Sequence, residues 1–94
     1  MRIAINGFGR IGRSVFRILN SRQDIKIVAI NDIATNAALA YLLKYDTVMR
    51  RFDDTVNTEG DMMLTSHQQV KMLAIYDPAD LPWQELGVDV VVEA

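Results

Sequence analysis

Gly7, Gly9 and Gly12 stand in a Gly-x-Gly-x-x-Gly spacing between a short apolar run and an amphipathic one, and Asp32 follows twenty positions after Gly12. The apolar run Arg2-Ile3-Ala4-Ile5-Asn6 reads as a strand. From Arg10 the pattern turns helical, with Ile11, Val15, Ile18 and Leu19 predicted to form one apolar stripe and Arg10, Arg13 and Arg17 pointing elsewhere. A strand, a tight turn and a helix in this order bring backbone N–H groups and the positive helix end to one point, which suits a dinucleotide pyrophosphate. Each glycine has its own task. Gly7 allows the turn out of the strand, Gly9 lets the backbone approach the pyrophosphate, and Gly12 lets the helix pack against the sheet. The N–H groups of Arg10 and Ile11 belong to the first helical turn, where intrahelical acceptors are lacking and the dipole leaves roughly half a positive charge. Asp32, at the end of a second strand over Ile25 to Ile30, can accept hydrogen bonds from ribose hydroxyls and would repel a 2′-phosphate. NAD is therefore the expected cofactor, in preference to NADP.

Beyond this βαβ unit, a second helix is predicted from Asn36 to Tyr45, with Thr35 as N-cap and Leu39, Leu42 and Leu43 on its apolar face. Glu59-Gly60-Asp61 marks a turn between Thr55–Thr58 and Met62–Thr65, read as short antiparallel strands with a third at Val70 to Ala74. Asp77 to Pro82 reads as a turn-rich connection and Val88 to Glu93 as a last, buried-type strand. The expected fold is α/β, a Rossmann-type parallel sheet with a small antiparallel insertion. A buried-type strand one residue before Ala94 leads to the expectation that residues 1–94 are the first half of a larger NAD-binding domain.

Composition narrows the function classes. Half of the 94 residues are hydrophobic, enough for a core, although a chain of this size buries only about 60–65% of its unfolded surface. A net charge of −2 argues against a nucleic-acid surface. No apolar run approaches the roughly 20 residues that span a bilayer, and the N-terminus shows no apolar stretch before a cleavage site, so a cytoplasmic location is expected. There is no cysteine, hence neither a disulfide framework nor a thiolate nucleophile. His67, the one histidine, lies in a polar stretch and is expected in a solvated loop. Asp53-Asp54 and the Glu59/Asp61 pair fit no calcium-loop spacing, and Arg50-Arg51 is too short a basic run for nucleic acid. Met62, Met63 and Trp83 are read as packing residues.

Four stretches together resemble one family, the phosphorylating glyceraldehyde-3-phosphate dehydrogenases. They are Ile5-Asn6-Gly7-Phe8-Gly9-Arg10-Ile11-Gly12-Arg13, Val28-Ala29-Ile30-Asn31-Asp32, Leu42-Leu43-Lys44-Tyr45-Asp46-Thr47, and the run Trp83-Gln84-Glu85-Leu86-Gly87-Val88-Asp89-Val90-Val91. The resemblance implies a homotetramer with an NAD domain and a catalytic domain. Such an enzyme oxidises an aldehyde phosphate through a thiohemiacetal on a cysteine, passes hydride to NAD and releases the acyl group to inorganic phosphate. It also implies that Asn6, Gly7, Phe8, Gly9, Arg10, Ile11 and Gly12 wrap the cofactor phosphates, that Asp32 holds the adenosine ribose and that Asn31 lies in the adenosine neighbourhood. Tyr76 stands near the adenine, where the family commonly has arginine; a backbone contact survives that change and a guanidinium contact does not. Met49-Arg50 replaces the family's His-Gly pair. The family's catalytic cysteine, histidine base and phosphate-binding residues would all lie beyond Ala94, so no catalytic residue is expected here. Erythrose-4-phosphate dehydrogenase is similar in this region: Leu81-Pro82-Trp83 and Glu85-Leu86-Gly87 lean towards it and Asp32 leans away. A stand-alone dinucleotide-binding module without catalysis is the third reading.

Overall fold

Alternation sets the first strand. In β1 (Arg2–Asn6), Ile3 and Ile5 enter the main hydrophobic cluster while Ala4, also buried, lies outside it, as a period of two requires. The computed structural model describes residues 1–45, 52 and 54–94. The chain continues through α1 (Arg10–Leu19), β2 (Lys26–Asn31), α2 (Asn36–Tyr45), β3 (Asn57–Glu59), β4 (Met62–Leu64), β5 (Gln69–Leu73), a 3₁₀ turn at Pro78–Asp80, and β6 (Val90–Glu93). One six-stranded sheet results, in the order β3-β4-β5-β2-β1-β6. β5, β2, β1 and β6 run parallel, and the β3–β4 hairpin joins β5 antiparallel. β5 is therefore antiparallel to one neighbour and parallel to the other, a double role that the expected third antiparallel strand did not include. The order reverses at β1, because the chain first builds outward through β2 and β5 and then returns to place β6 on the other side. Ligands of open parallel sheets bind outside the carboxyl ends of the strands at such a reversal.

β2 is buried from Ile27 to Asn31, as befits a strand covered on both faces. Its register against β1 shifts between Ile3↔Ile27 and Ala4↔Ala29, so Val28 is an extra residue. That bulge explains why Ile27 and Ile30, three apart, both reach the main cluster. Phe8, Phe16 and Phe52 form an aromatic row, with ring centroids 5.8 and 6.1 Å apart. Leu39, Ala40 and Leu43 of α2, Met63 of β4, and Val70 and Met72 of β5 complete the same cluster.

Three expectations are corrected. The apolar stripe of α1 is rotated: Ile11 and Ile18 are 66% and 70% exposed, while Gly12, Arg13 and Phe16 are buried and Val15 and Leu19 pack on the core. The close seating of Gly12 against the glycine turn fixes this rotation, and it leaves Ile11 and Ile18, two turns apart, on the outer side. Arg13 consequently points inward, and its guanidinium donates to the Phe8 carbonyl at 3.1 Å. On α2, Leu42 is exposed and Ala40 takes its place beside Leu39 and Leu43. The Thr35 cap is present, its Oγ1 accepting from the Ala38 N–H at 3.2 Å. Finally, β6 is half-buried at best, because among the described residues it has β1 on one side only. The Met49-Arg50 difference, the Arg50-Arg51 pair and Asp53 lie outside the described residues. Among the described residues no helix is long and apolar enough to cross a membrane.

The amino ends of the strands are closed by polar side chains. Buried Gln68 donates to the carbonyls of Asn20 and Ile25 and accepts from the Ile27 N–H at 3.0 Å. Asn20 donates to Asp54 at 2.9 Å and accepts from the Thr65 hydroxyl at 2.7 Å. Partial burial pushes the Asp54 carboxyl up, but hydrogen bonds from Ser66, Asn20 and the Thr55 amide outweigh it and hold its pKa below the ordinary aspartate value. A depressed pKa stabilises the fold fully above the pKa of an unfolded aspartate and ceases to do so as pH falls through the lower folded value. The wild-type thermal midpoint should therefore exceed that of Asp54→Asn at neutral pH, with the gap closing in acid; a gap that stays constant down to the acid limb would contradict this account.

Candidate functional site

The site grows out of the end of β1. Gly7 has a φ of +96°, its N–H donates to the Asn31 carbonyl at 2.7 Å, and an added Cβ would stand 2.5 Å from the Ala94 carbonyl oxygen. Only glycine turns the chain here, between the ends of β2 and β6. Phe8 is then driven into the core, where its ring meets Phe16 edge-on. Its backbone faces the other way, and the Phe8 N–H donates to Asp32 Oδ2 at 2.8 Å. Asp32 is held in turn: Oδ1 accepts from the Ala34 N–H at 3.0 Å, and its own N–H donates to the Leu73 carbonyl at 2.9 Å.

Gly9 caps α1 without a side-chain hydrogen bond, and the first helical turn carries no acidic residue. The first helical bond is Arg13 N–H to Gly9 carbonyl at 2.9 Å, so the N–H groups of Arg10, Ile11 and Gly12 precede the ladder. A Cβ added at Gly9 would meet nothing within 4 Å, whereas one added at Gly12 would run into the Gly7 carbonyl and come within 3.2 Å of Ile5 Cγ2. The helix end is thus pressed against the sheet on one side and open on the other. An uncapped helix end with open space beside it favours an anion by about 0.3–1 kcal/mol through the dipole alone.

Beside this end lies a cleft of about 320 Å³, lined in part by Asn6, Gly7, Asn31, Asp32 and Tyr76. Five of the residues singled out in the sequence therefore meet at one cleft. The others, Phe8, Gly9, Arg10, Ile11 and Gly12, form the turn and the first helical turn joined to it through the Phe8–Asp32 bond. Ile33, largely exposed, and Glu93 also line the cleft and were not singled out. The signal for Glu93 is its pairing with Asn6 across β1 and β6, which only the sheet order reveals. A larger cleft of about 410 Å³ opens at the opposite end of the strands, beside Arg22, Lys26 and His67. His67 is exposed there, Arg22 is paired with Asp24 at 2.9 Å, and the buried amide of Gln68 is engaged with backbone groups. That cleft contains none of the glycine-turn elements.

Residues 1–94, the whole chain, match the family described as glyceraldehyde 3-phosphate dehydrogenase, NAD binding domain. The chain belongs to that family. It is 49% identical over its full length to glyceraldehyde-3-phosphate dehydrogenase of Salmonella typhimurium and to glyceraldehyde-3-phosphate dehydrogenase A of Escherichia coli K12, covering 28% of each relative. Over 90 residues, 96% of the chain, it is 51% identical to the Klebsiella pneumoniae enzyme of the same name and covers 30% of it. The chain thus spans less than a third of the length of these relatives. The cofactor of this domain family is NAD, and the geometry suits one: a pyrophosphate needs an open, uncapped helix end, and a ribose diol needs a carboxylate beside it. Both are present within one hydrogen bond of each other.

Gly12→Ala tests the close seating. The added methyl should destabilise the domain by about 1–3 kcal/mol and lower NAD affinity together with it, because the helix end must retreat from the turn. A variant that melts and binds like wild type would show that the seating is not tight.

Proposed function

We propose that residues 1–94 supply the NAD-binding part of a phosphorylating glyceraldehyde-3-phosphate dehydrogenase, with the catalytic domain lying outside them. The observation that carries this reading is the 2.8 Å bond from the Phe8 N–H to Asp32, which ties the uncapped helix end to the carboxylate. In this reading the amides of Gly9, Arg10, Ile11 and Gly12 hold the pyrophosphate, and Asn6, Gly7 and Phe8 form the turn that presents them. Asp32 accepts from the adenosine ribose hydroxyls, and its charge disfavours a 2′-phosphate. Asn31 and Tyr76 stand at the adenosine end of the cleft. Tyr76 has no guanidinium to offer, so its contribution there is its ring and its backbone. Bound NAD supplies the hydride acceptor; the residues described here bind and orient it.

The complete protein would then oxidise an aldehyde phosphate in the presence of inorganic phosphate, as a homotetramer in the cytoplasm. Since this chain contains no thiol, the cysteine that such chemistry requires must come from elsewhere in that protein. Asp32 and the names of the relatives favour this substrate over erythrose 4-phosphate and over a module without catalysis. Two assays on the protein that carries this domain test the proposal. NAD reduction should be faster with glyceraldehyde 3-phosphate and phosphate than with erythrose 4-phosphate. Asp32→Ala should weaken NAD about tenfold or more and NADP far less, since two hydrogen bonds to a charged acceptor vanish for NAD alone. Equal losses for the two cofactors would remove Asp32 from the discriminating role, and preference for erythrose 4-phosphate would overturn the substrate assignment.

A further inference from the structure

Beyond Leu73, β5 leaves the sheet, and the ladder between β2 and β5 ends at Asn31↔Leu73. The next segment is nevertheless tied down. The Asn31 carboxamide accepts from the Ile75 N–H at 2.9 Å and donates to the Ile75 carbonyl at 3.0 Å, so one side chain engages both polar groups of one peptide-chain residue. This is what a neighbouring strand would offer, delivered by a side chain after the strand has ended. Its Nδ2 also donates to Asn6 Oδ1 at 3.0 Å. Both amide hydrogens and one oxygen lone pair are thus used within the protein, and Asn31 is only 6% exposed.

The polarity of this chain of bonds is set at its far end. Asn6 Nδ2 donates to Glu93 Oε1 at 3.1 Å, and an ionised carboxylate can only accept. With Asn6 Nδ2 committed to Glu93, Asn6 presents its oxygen to Asn31. Asn31 must then present its nitrogen, which leaves its oxygen for the Ile75 N–H. The orientation of both carboxamides follows from one carboxylate, across the ends of β6, β1, β2 and the exit of β5.

The residue after Ile75 is Tyr76, 86% exposed, so little packing of its own fixes it in the cleft beside Asp32. We propose that Asn31 is a positioning residue: it binds no part of the cofactor and instead fixes Ile75, and through it Tyr76, at the adenosine end of the cleft. This rests on the NAD reading above and assigns within it a division of labour. Asp32 meets the ligand, and Asn31, its neighbour in sequence, turns inward to hold the opposite wall.

A double-mutant cycle tests the assignment in the protein that carries this domain, with NAD and ADP-ribose as probes in calorimetric titrations. Asn31→Ala and Tyr76→Ala should each weaken both ligands, Asn31→Ala by about tenfold. The double variant should bind no worse than the weaker single variant, because Asn31 acts through the wall that Tyr76 forms. Losses that add, wild-type affinity in Asn31→Ala, or wild-type affinity in Tyr76→Ala would each overturn the proposal while leaving the NAD reading intact. Should Asn31→Ala fail to fold, Asn31→Asp keeps the acceptor for the Ile75 N–H and loses both donors. It should show the same loss and the same non-additivity with Tyr76→Ala, and wild-type affinity in it would overturn the proposal. Wild-type protein that binds neither probe would overturn both the proposal and the reading beneath it.

Discussion

No side chain fits between Gly12 and the carbonyl of Gly7, and most of the geometry at the carboxyl end of the sheet follows from that contact. With only hydrogens between them, the first turn of α1 seats directly on the end of β1. The seating fixes the rotation of the helix, which turns Phe16 and Arg13 inward and leaves Ile11 and Ile18 outside. It also fixes where the helix begins, so that Gly9 faces open space and the Phe8 N–H reaches Asp32. A helix held one methyl group further away would still form, but its N-terminus would no longer be tied to the Asp32 carboxylate through the Phe8 N–H.

The two ends of the parallel strands handle their polar groups differently. At the amino end, Gln68, Asn20, Thr65 and Asp54 close on one another and on backbone groups, and the neighbouring cleft offers no buried donor beyond those already engaged. At the carboxyl end, Asn6, Asn31 and Glu93 form a hydrogen-bonded row across the strand ends, from buried Asn31 to exposed Glu93, while Asp32 lines the cleft and is joined to the helix end through the Phe8 N–H. The larger cavity volume lies at the closed end, and the glycine turn, the uncapped helix end and the Asp32 carboxylate lie at the open one. The sheet reversal at β1 lies at the open end, where ligands of open parallel sheets bind, and it supports the site proposed there.

What the sequence could convey depended on how local each cause is. β1, the α2 limits, the Gly60 turn and the glycine turn itself are set by neighbours in the chain, and the structure places them where the patterns predict. The stripe of α1 is different. Ile11, Val15 and Ile18 satisfy helical spacing as well as Gly12, Val15, Phe16 and Leu19 do, and only the contact of Gly12 with Gly7 chooses between them. The burial of Arg13 follows from the same long-range choice. The bulge at Val28 and the side-chain clamp on Ile75 leave no periodic trace, since each depends on register between strands distant in sequence. Asn31 could be placed near the site from its position beside Asp32, but the direction of its carboxamide depends on Glu93, more than sixty residues away.

The central claim is that NAD lies across the amino end of α1 and Asp32. Hydrogen exchange of the protein that carries this domain, followed by mass spectrometry with and without NAD, tests it directly. The account predicts slower exchange in residues 8–12 and 32–34 on binding, with residues 21–26 and 67–69 unchanged. Slowing confined to residues 21–26 and 67–69 would place the cofactor in the other cleft and contradict the account.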